Sequence, residues 1–423
     1  MKRIFPFLIV LISACSHSRQ ACDAYDVDAS SGSGSSKANG ATSSYRSVSA
    51  PDFSDTVTLK KESAPAIEQI NQTTINAIAL KSNAAVYRAE NETRKVDAKQ
   101  QFQTTAIAND LASLSATNAQ QRTQRNPSAQ DQLKMDKNVR LLEQLAPESF
   151  EYNLYAYISG NYDVSRISFL EKAAAMQPSN RDVLIQYSAY YVSMNDEVNA
   201  STYLDQWGRS LEKNQKDLIY AKDVLNSVED HGILVLHGVN DSYSALYQQY
   251  KNKFRPDVVI VSLELLQSQQ YRKTLVSKGV KLPESELIDP GYLEAFCALN
   301  AERIPSLAMT IPREYLNGIS NRLYAVGLTF AYSDHSEFDN FYRNEMLWNT
   351  KLSKELIKEL NHGENESGGQ LISNYLPMLL QLRQVYVQKN ETDRIQEIDR
   401  VLMEIGKATG KMETIEKIKE GQK

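Results

Sequence analysis

The residues best placed to do chemistry lie near the middle of the chain. There, Gly238-Val239-Asn240-Asp241-Ser242 follows the apolar run Ile233–His237. A loop of Gly, Asn, Asp and Ser at the carboxyl end of a parallel strand is where open α/β sheets bind ligands. The amides that open the next helix point at whatever occupies it. Gly238, Asn240, Asp241 and Ser242 therefore form the candidate ligand loop. The same residue types also serve a plainer purpose, because Asn240, Asp241 or Ser242 as an N-cap satisfies amides that the helix leaves open. The loop lacks the glycines of a dinucleotide fingerprint and the Gly-Lys-Ser/Thr of a phosphate loop. No Gly-x-Ser-x-Gly and no His-Glu-x-x-His occurs. His231 and His237, six apart, fall at the two ends of a strand and form no helical metal pair. With 52 Asp and Glu, spacing selects no carboxylate pair for glycoside hydrolysis. No catalytic residue, metal ligand or cofactor is assigned.

The elements that must hold this loop are short. Gly232–His237 and Asp257–Ser262 are continuous, β-branched runs bounded by turn residues, which predicts strands buried on both faces. Between them Tyr243, Leu246, Tyr247 and Tyr250 follow helical spacing. Strand, helix and strand in about thirty residues make a parallel β-α-β unit. Helices at Gln267–Lys278 and Tyr292–Glu302 and strands at Ser306–Ile311 and Leu323–Ala331 complete a small α/β domain over 217–335, with three or four strands. Cys297 is expected as a small core residue.

Helix dominates on either side. Residues 61–128 are rich in Ala, Gln, Asn and Thr and predict polar helix, broken at Arg125-Asn126-Pro127-Ser128. Over 129–216 the chain repeats in steps of 34. Tyr157 aligns with Tyr191, Leu170 with Leu204 and Ala173 with Trp207, and Pro178 closes the first unit. This resembles the tetratricopeptide repeat, with Ala200 at the small helix-crossing position and Arg166 in its place in the first unit. Residues 336–406 predict further hairpins, with Asn390 at a turn. Residues 407–423 read as a charged tail that frays. The fold class is α+β, mostly α, with helical hairpins flanking a small parallel β-α-β module.

The amino terminus reads as an address. Lys2 and Arg3 precede the apolar run Ile4–Ile12, which is too short to span a bilayer and reads as a signal peptide over 1–14. It ends in Ile12-Ser13-Ala14-Cys15, which resembles the bacterial lipobox. That resemblance implies Cys15 as the lipidated first residue of the mature chain, held to a membrane by its acyl chains. Residues 15–60, rich in Ser, Gly and Asn, form a flexible tether. Within it Asp55-Thr56-Val57 resembles the Bacteroidetes O-glycosylation sequon, implying a glycan on Thr56.

Composition narrows the class. The chain has 423 residues, 42% hydrophobic and 23% charged, with a net charge of −5 and a pI near 5.7. A mean hydropathy of −0.46 excludes a polytopic membrane protein, and the acidic balance argues against nucleic-acid binding. Three Cys and five His exclude a disulfide scaffold, an iron–sulfur site and a closed zinc site.

Residues 220–405 resemble the carboxyl-terminal soluble region of a Bacteroidetes family of multi-spanning membrane proteins regarded as protein O-mannosyltransferases. That region reads strand, Gly-Asp-Asn-Asp-Thr, aromatic residues, Arg-Pro-Asp-Val and a second strand. Gly238, Asn240, Asp241, Ser242, Leu246 and Tyr247 match its first part. Arg255, Pro256, Asp257, Val258, Leu265, Leu266 and Tyr271 match its second. Val239 replaces the loop's first acidic residue. The multi-spanning part is not found in this sequence, so the resemblance implies a shared periplasmic module and carries no transferase activity. The expectation is a non-enzymatic, lipid-anchored scaffold of the cell envelope, on the inner or outer membrane and facing the periplasm. Its partners would be other envelope proteins, met through the helical repeats. The alternative is an accessory protein of envelope glycosylation that binds a glycan or lipid-linked sugar.

Overall fold

The computed structural model describes residues 66–211, 215–335, 338–359 and 369–422. Cys15 and Thr56 lie outside them. The described residues fall into two compact units, 66–103 and 104–422. The first is the leading part of helix α1 (Ala66–Ala119), whose residues 92–103 are exposed, Val96 and Phe102 included.

The second unit is helical hairpins around a small sheet, an α+β architecture that is mostly α. After α1 come α2 (Ala129–Leu145), α3 (Phe150–Ile158), α4 (Ile167–Met176), α5 (Arg181–Ser193), α6 (Glu197–Ser210) and α7 (Lys216–Asn226). Local chemistry sets the starts. Ser128, Ser149, Asn180 and Asp196 each accept a hydrogen bond from an amide in the first turn they cap. The 34-residue pairs are buried in step: Leu170 and Leu204, like Ala173 and Trp207, are fully enclosed. Arg166, standing where the repeat wants a small residue, reaches back and donates to Ala156 O and Ser159 Oγ. Its stem fills the space that a Cβ on Gly160 would enter.

The α/β part runs β1 (Ile233–Leu236), α8 (Val239–Tyr250), β2 (Val259–Ser262), α9 (Gln269–Ser277), α10 (Pro290–Leu299), β3 (Ser306–Ala308), α11 (Arg313–Leu316), β4 (Leu323–Val326) and β5 (Thr329–Tyr332). The strand order is β2-β1-β3-β5-β4. β1 pairs in parallel with β2 (Val235 opposite Val261) and with β3 (Val235 opposite Leu307). β5 is antiparallel to both β3 and β4. Among the described residues the sheet thus has five strands where the sequence suggests three or four. The stretch expected as one strand, Leu323–Ala331, is a hairpin. Its turn rests on Gly327 at φ +55°, packed so closely that a Cβ there would lie 2.1 Å from Ser227 Oγ.

The chain closes with α12 (Asn340–Met346), α13 (Glu355–Glu359), α14 (Gly369–Ser373), α15 (Leu376–Lys389), α16 (Thr392–Thr409) and α17 (Met412–Glu420). Asn390 adopts the left-handed conformation that ends α15. The expected frayed tail is corrected: α17 is ordered because Ile415 is completely buried and Gly406 admits it and Met412 closely. One core runs from α5–α6 through the sheet to α17, and two satellite clusters lie beneath the α1–α5 hairpins. Cys297 sits in the main core as a free, buried thiol, which burial pushes up in pKa.

Candidate functional site at the carboxyl ends of the parallel strands

Three strands deliver polar side chains to one end of the sheet: β1 leads into His237, β2 into Glu264 and β3 into Thr310. The candidate loop lies among them, but its residues do not act as expected. α8 begins at Val239, and its N-cap is Gly238, with no side-chain cap. Gly238 holds φ +85°, ψ 151°, a conformation that a side chain would resist. Asn240, Asp241 and Ser242 are therefore inside the first turn, and the expected capping role is corrected.

Their side chains serve other ends. Asp241 accepts a hydrogen bond from Thr310 Oγ1, tying α8 to the end of β3. Ser242, completely buried, donates to Ser262 Oγ at 3.1 Å, and Ser262 donates to Glu264 Oε2 at 3.2 Å. The Gly238 amide donates to Glu264 Oε1 at 2.9 Å. Glu264 thus gathers an amide and a hydroxyl relay from the very loop that was expected to receive a ligand.

The remaining partner comes from far away in sequence. Arg125 lies in the break between α1 and α2, where its amide donates to Ile288 O at 2.9 Å and Asn126 Oδ1 accepts from the Ile288 amide at 2.8 Å. Its side chain is 1% exposed and places Nη1 3.6 Å from Glu264 Oε1. Nη1 also donates to Ala119 O and meets His237 Nε2, and Nε donates to the Tyr315 hydroxyl. The guanidinium further lies over the Tyr315 ring, 5.7 Å from its centroid. The contact with Arg125 suits a neutral His237 with its lone pair on Nε2. A protonated ring would instead be drawn to Glu264 Oε1, 3.6 Å away. Burial raises the pKa of Glu264, but His237 when charged, Arg125 and the Gly238 amide outweigh it and hold the carboxyl below its ordinary value. Arg125 is always charged, so it is the dependable part of that balance.

Sequence reasoning identified the loop and missed Arg125, Glu264 and Thr310. Glu264 and Thr310 were discoverable, since each stands two residues beyond a parallel strand. Arg125 carried no such signal. The Arg255-Pro256-Asp257 motif proves architectural. Arg255 grips both Asp257 carboxylate oxygens at 2.9 and 2.8 Å and donates to the carbonyls of Leu225, in the last turn of α7, and of Val228 and Glu229 beyond it.

Residues 217–286, from α7 through α9, match the family model described as TMEM260-associated domain 2. The match covers 70 of the 423 residues and contains the loop, the Arg-Pro-Asp motif and Glu264. No curated protein matches the chain, and neither does any solved structure.

Proposed function

We propose that the chain is a non-enzymatic scaffold of the cell envelope, anchored through lipid on Cys15 and offering its helical hairpins, read as tetratricopeptide-like, to other envelope proteins. The observation that carries this reading is the place of Arg125. The position where a parallel sheet usually takes its ligand is filled by the chain's own guanidinium, held by Glu264 and Tyr315. A loop whose amide and hydroxyls are committed to Glu264 works as a joint between the helical segment and the α/β module. The match over 217–286 and the resemblance over 220–405 support a module shared with the glycosyltransferase-associated family. No transfer reaction is proposed.

One observation favours a second reading, binding of a glycan or lipid-linked sugar. Arg125 Nη2 is buried and has no hydrogen-bond partner among the described residues, so it is a donor that a polar ligand would satisfy. Asp241→Asn separates the two, because Asn keeps an acceptor for Thr310 and removes the charge. Melting temperature is measured beside the phenotype of a complemented deletion strain. Intact stability with full function supports the scaffold; intact stability with lost function supports the sugar-binding module.

A further inference from the structure

A cleft of about 340 Å³ opens on the far side of β2, where α8, α9 and the α5–α6 turn meet. Its volume falls at the small end of the range for small-molecule pockets. The floor is apolar: Val192, Leu246, Val258, Ile260 and Leu275. The rim is charged, with Glu197, Lys253 and Lys278. Glu197 lies 3.5 Å from Lys253 and offsets one cation. Lys278 makes no ion pair within 4 Å among the described residues, although Glu197 is near enough to favour its charge. The side chain is exposed by area, yet protein around the ammonium depresses its pKa, so an anion beside it would relieve a charge that is poorly solvated. Lys253 is presented by a left-handed turn at φ +53°, where glycine would be the easier residue.

The occupant can be narrowed. β2 is an edge strand, and an edge usually invites an extended peptide. Here the outward carbonyls are already used: Val258 O accepts from Gln249 Nε2 at 2.7 Å and Ile260 O from the Tyr271 hydroxyl at 2.9 Å. The Ser262 amide also donates to that hydroxyl. A peptide strand would find little to pair with, and a helix about 10 Å across exceeds the space. We propose that this cleft binds a small anionic amphiphile, an apolar stem ending in a phosphate or carboxylate, with the stem on the Val258–Ile260 floor and the anion between Lys253 and Lys278.

The test titrates octyl phosphate, octanoate, octanol and inorganic phosphate into the full chain, below micelle-forming concentrations. Saturable one-to-one binding of octyl phosphate or octanoate is expected, with octanol and inorganic phosphate each at least about tenfold weaker. Lys278→Gln, and Lys253→Gly with Lys278→Gln, should melt like the parent and weaken binding, the pair by at least about tenfold. Equal binding by parent and double variant overturns the proposal, as does binding of inorganic phosphate as tight as octyl phosphate. Vesicles containing anionic lipid give the last arm. Vesicle binding without octyl phosphate or octanoate binding would mean adhesion to a charged surface, and also overturns it.

Discussion

Tyr375 donates its hydroxyl to the buried carboxylate of Asp223 at 2.6 Å, across 152 residues of sequence. The same carboxylate accepts the amides of Ser353 at 2.7 Å and Lys354 at 3.2 Å. Burial and the Asp223 charge push the Tyr375 hydroxyl far above its ordinary pKa, so it remains a donor at any physiological pH. One side chain of α7 therefore holds the carboxyl-terminal helices. Asp223→Ala strands the fully buried Tyr375 hydroxyl and two half-buried amides, and should cost about 2–4 kcal/mol. The check is a fall in the urea midpoint with an unchanged slope.

Arg125 and Glu264 form a buried charge pair whose partners are not interchangeable. Arg125→Met leaves a buried carboxylate with less compensation and should cost about 3–5 kcal/mol. Adding Glu264→Gln removes the stranded charge, so the double variant should recover part of that loss. A double variant no more stable than Arg125→Met would show that the two residues are not coupled.

The Arg255 fork, with the His231 amide, holds the Asp257 carboxyl well below the usual carboxylate range despite partial burial. A depressed acid stabilises the fold fully above its unfolded pKa, near 3.9, and that stabilisation is lost as pH falls through the folded value. Glu264 acts in the same direction. Arg255→Met should therefore melt lower at neutral pH and lose less than the parent between about pH 4 and pH 2. Parallel melting curves across that window would refute the assignment.

Close helix packing makes a third kind of demand. A Cβ on Gly208 in α6 would lie 2.7 Å from the Tyr247 ring of α8, and Ala200 is completely buried. Gly208→Ala should cost about 1–3 kcal/mol and Ala200→Arg at least as much. An unchanged melting temperature in Ala200→Arg would mean that the 34-residue register is wrong.

If Cys15 carries the anchor, Cys15→Ser should release the protein from the membrane fraction or leave an uncleaved precursor. Correct processing with full membrane retention would rule out the lipoprotein reading.

Much of this architecture is legible in the sequence because its cues are local. The β-branched runs at 233–236 and 259–262, the helical spacing of 243–250 and the turn at Asn390 all depend on residues within one element. The capping role of the 240–242 loop was misread by position, since Gly238 ends the loop earlier than side-chain preference suggests. The split of 323–332 into two strands turns on the single left-handed Gly327. Arg125 could not be found at all: it reaches Glu264 across 139 positions, and such a pairing has no periodicity to betray it.

β3 is three residues long and sits between the two halves of the sheet. On one side stands the parallel pair β1–β2, linked through one helix; on the other stands the β4–β5 hairpin, linked by a tight turn. β3 meets β5 across 23 positions (Leu307 with Phe330), a closure as short as the 26 between β1 and β2 (Val235 with Val261), but meets β1 across 72 (Val235 with Leu307). The seam between β1 and β3 is therefore the long-range closure of the sheet, the one that costs the most chain entropy. That seam also completes the site, since Thr310, two residues beyond β3, donates there to Asp241 of α8. The joint and the sheet are therefore closed along the same seam.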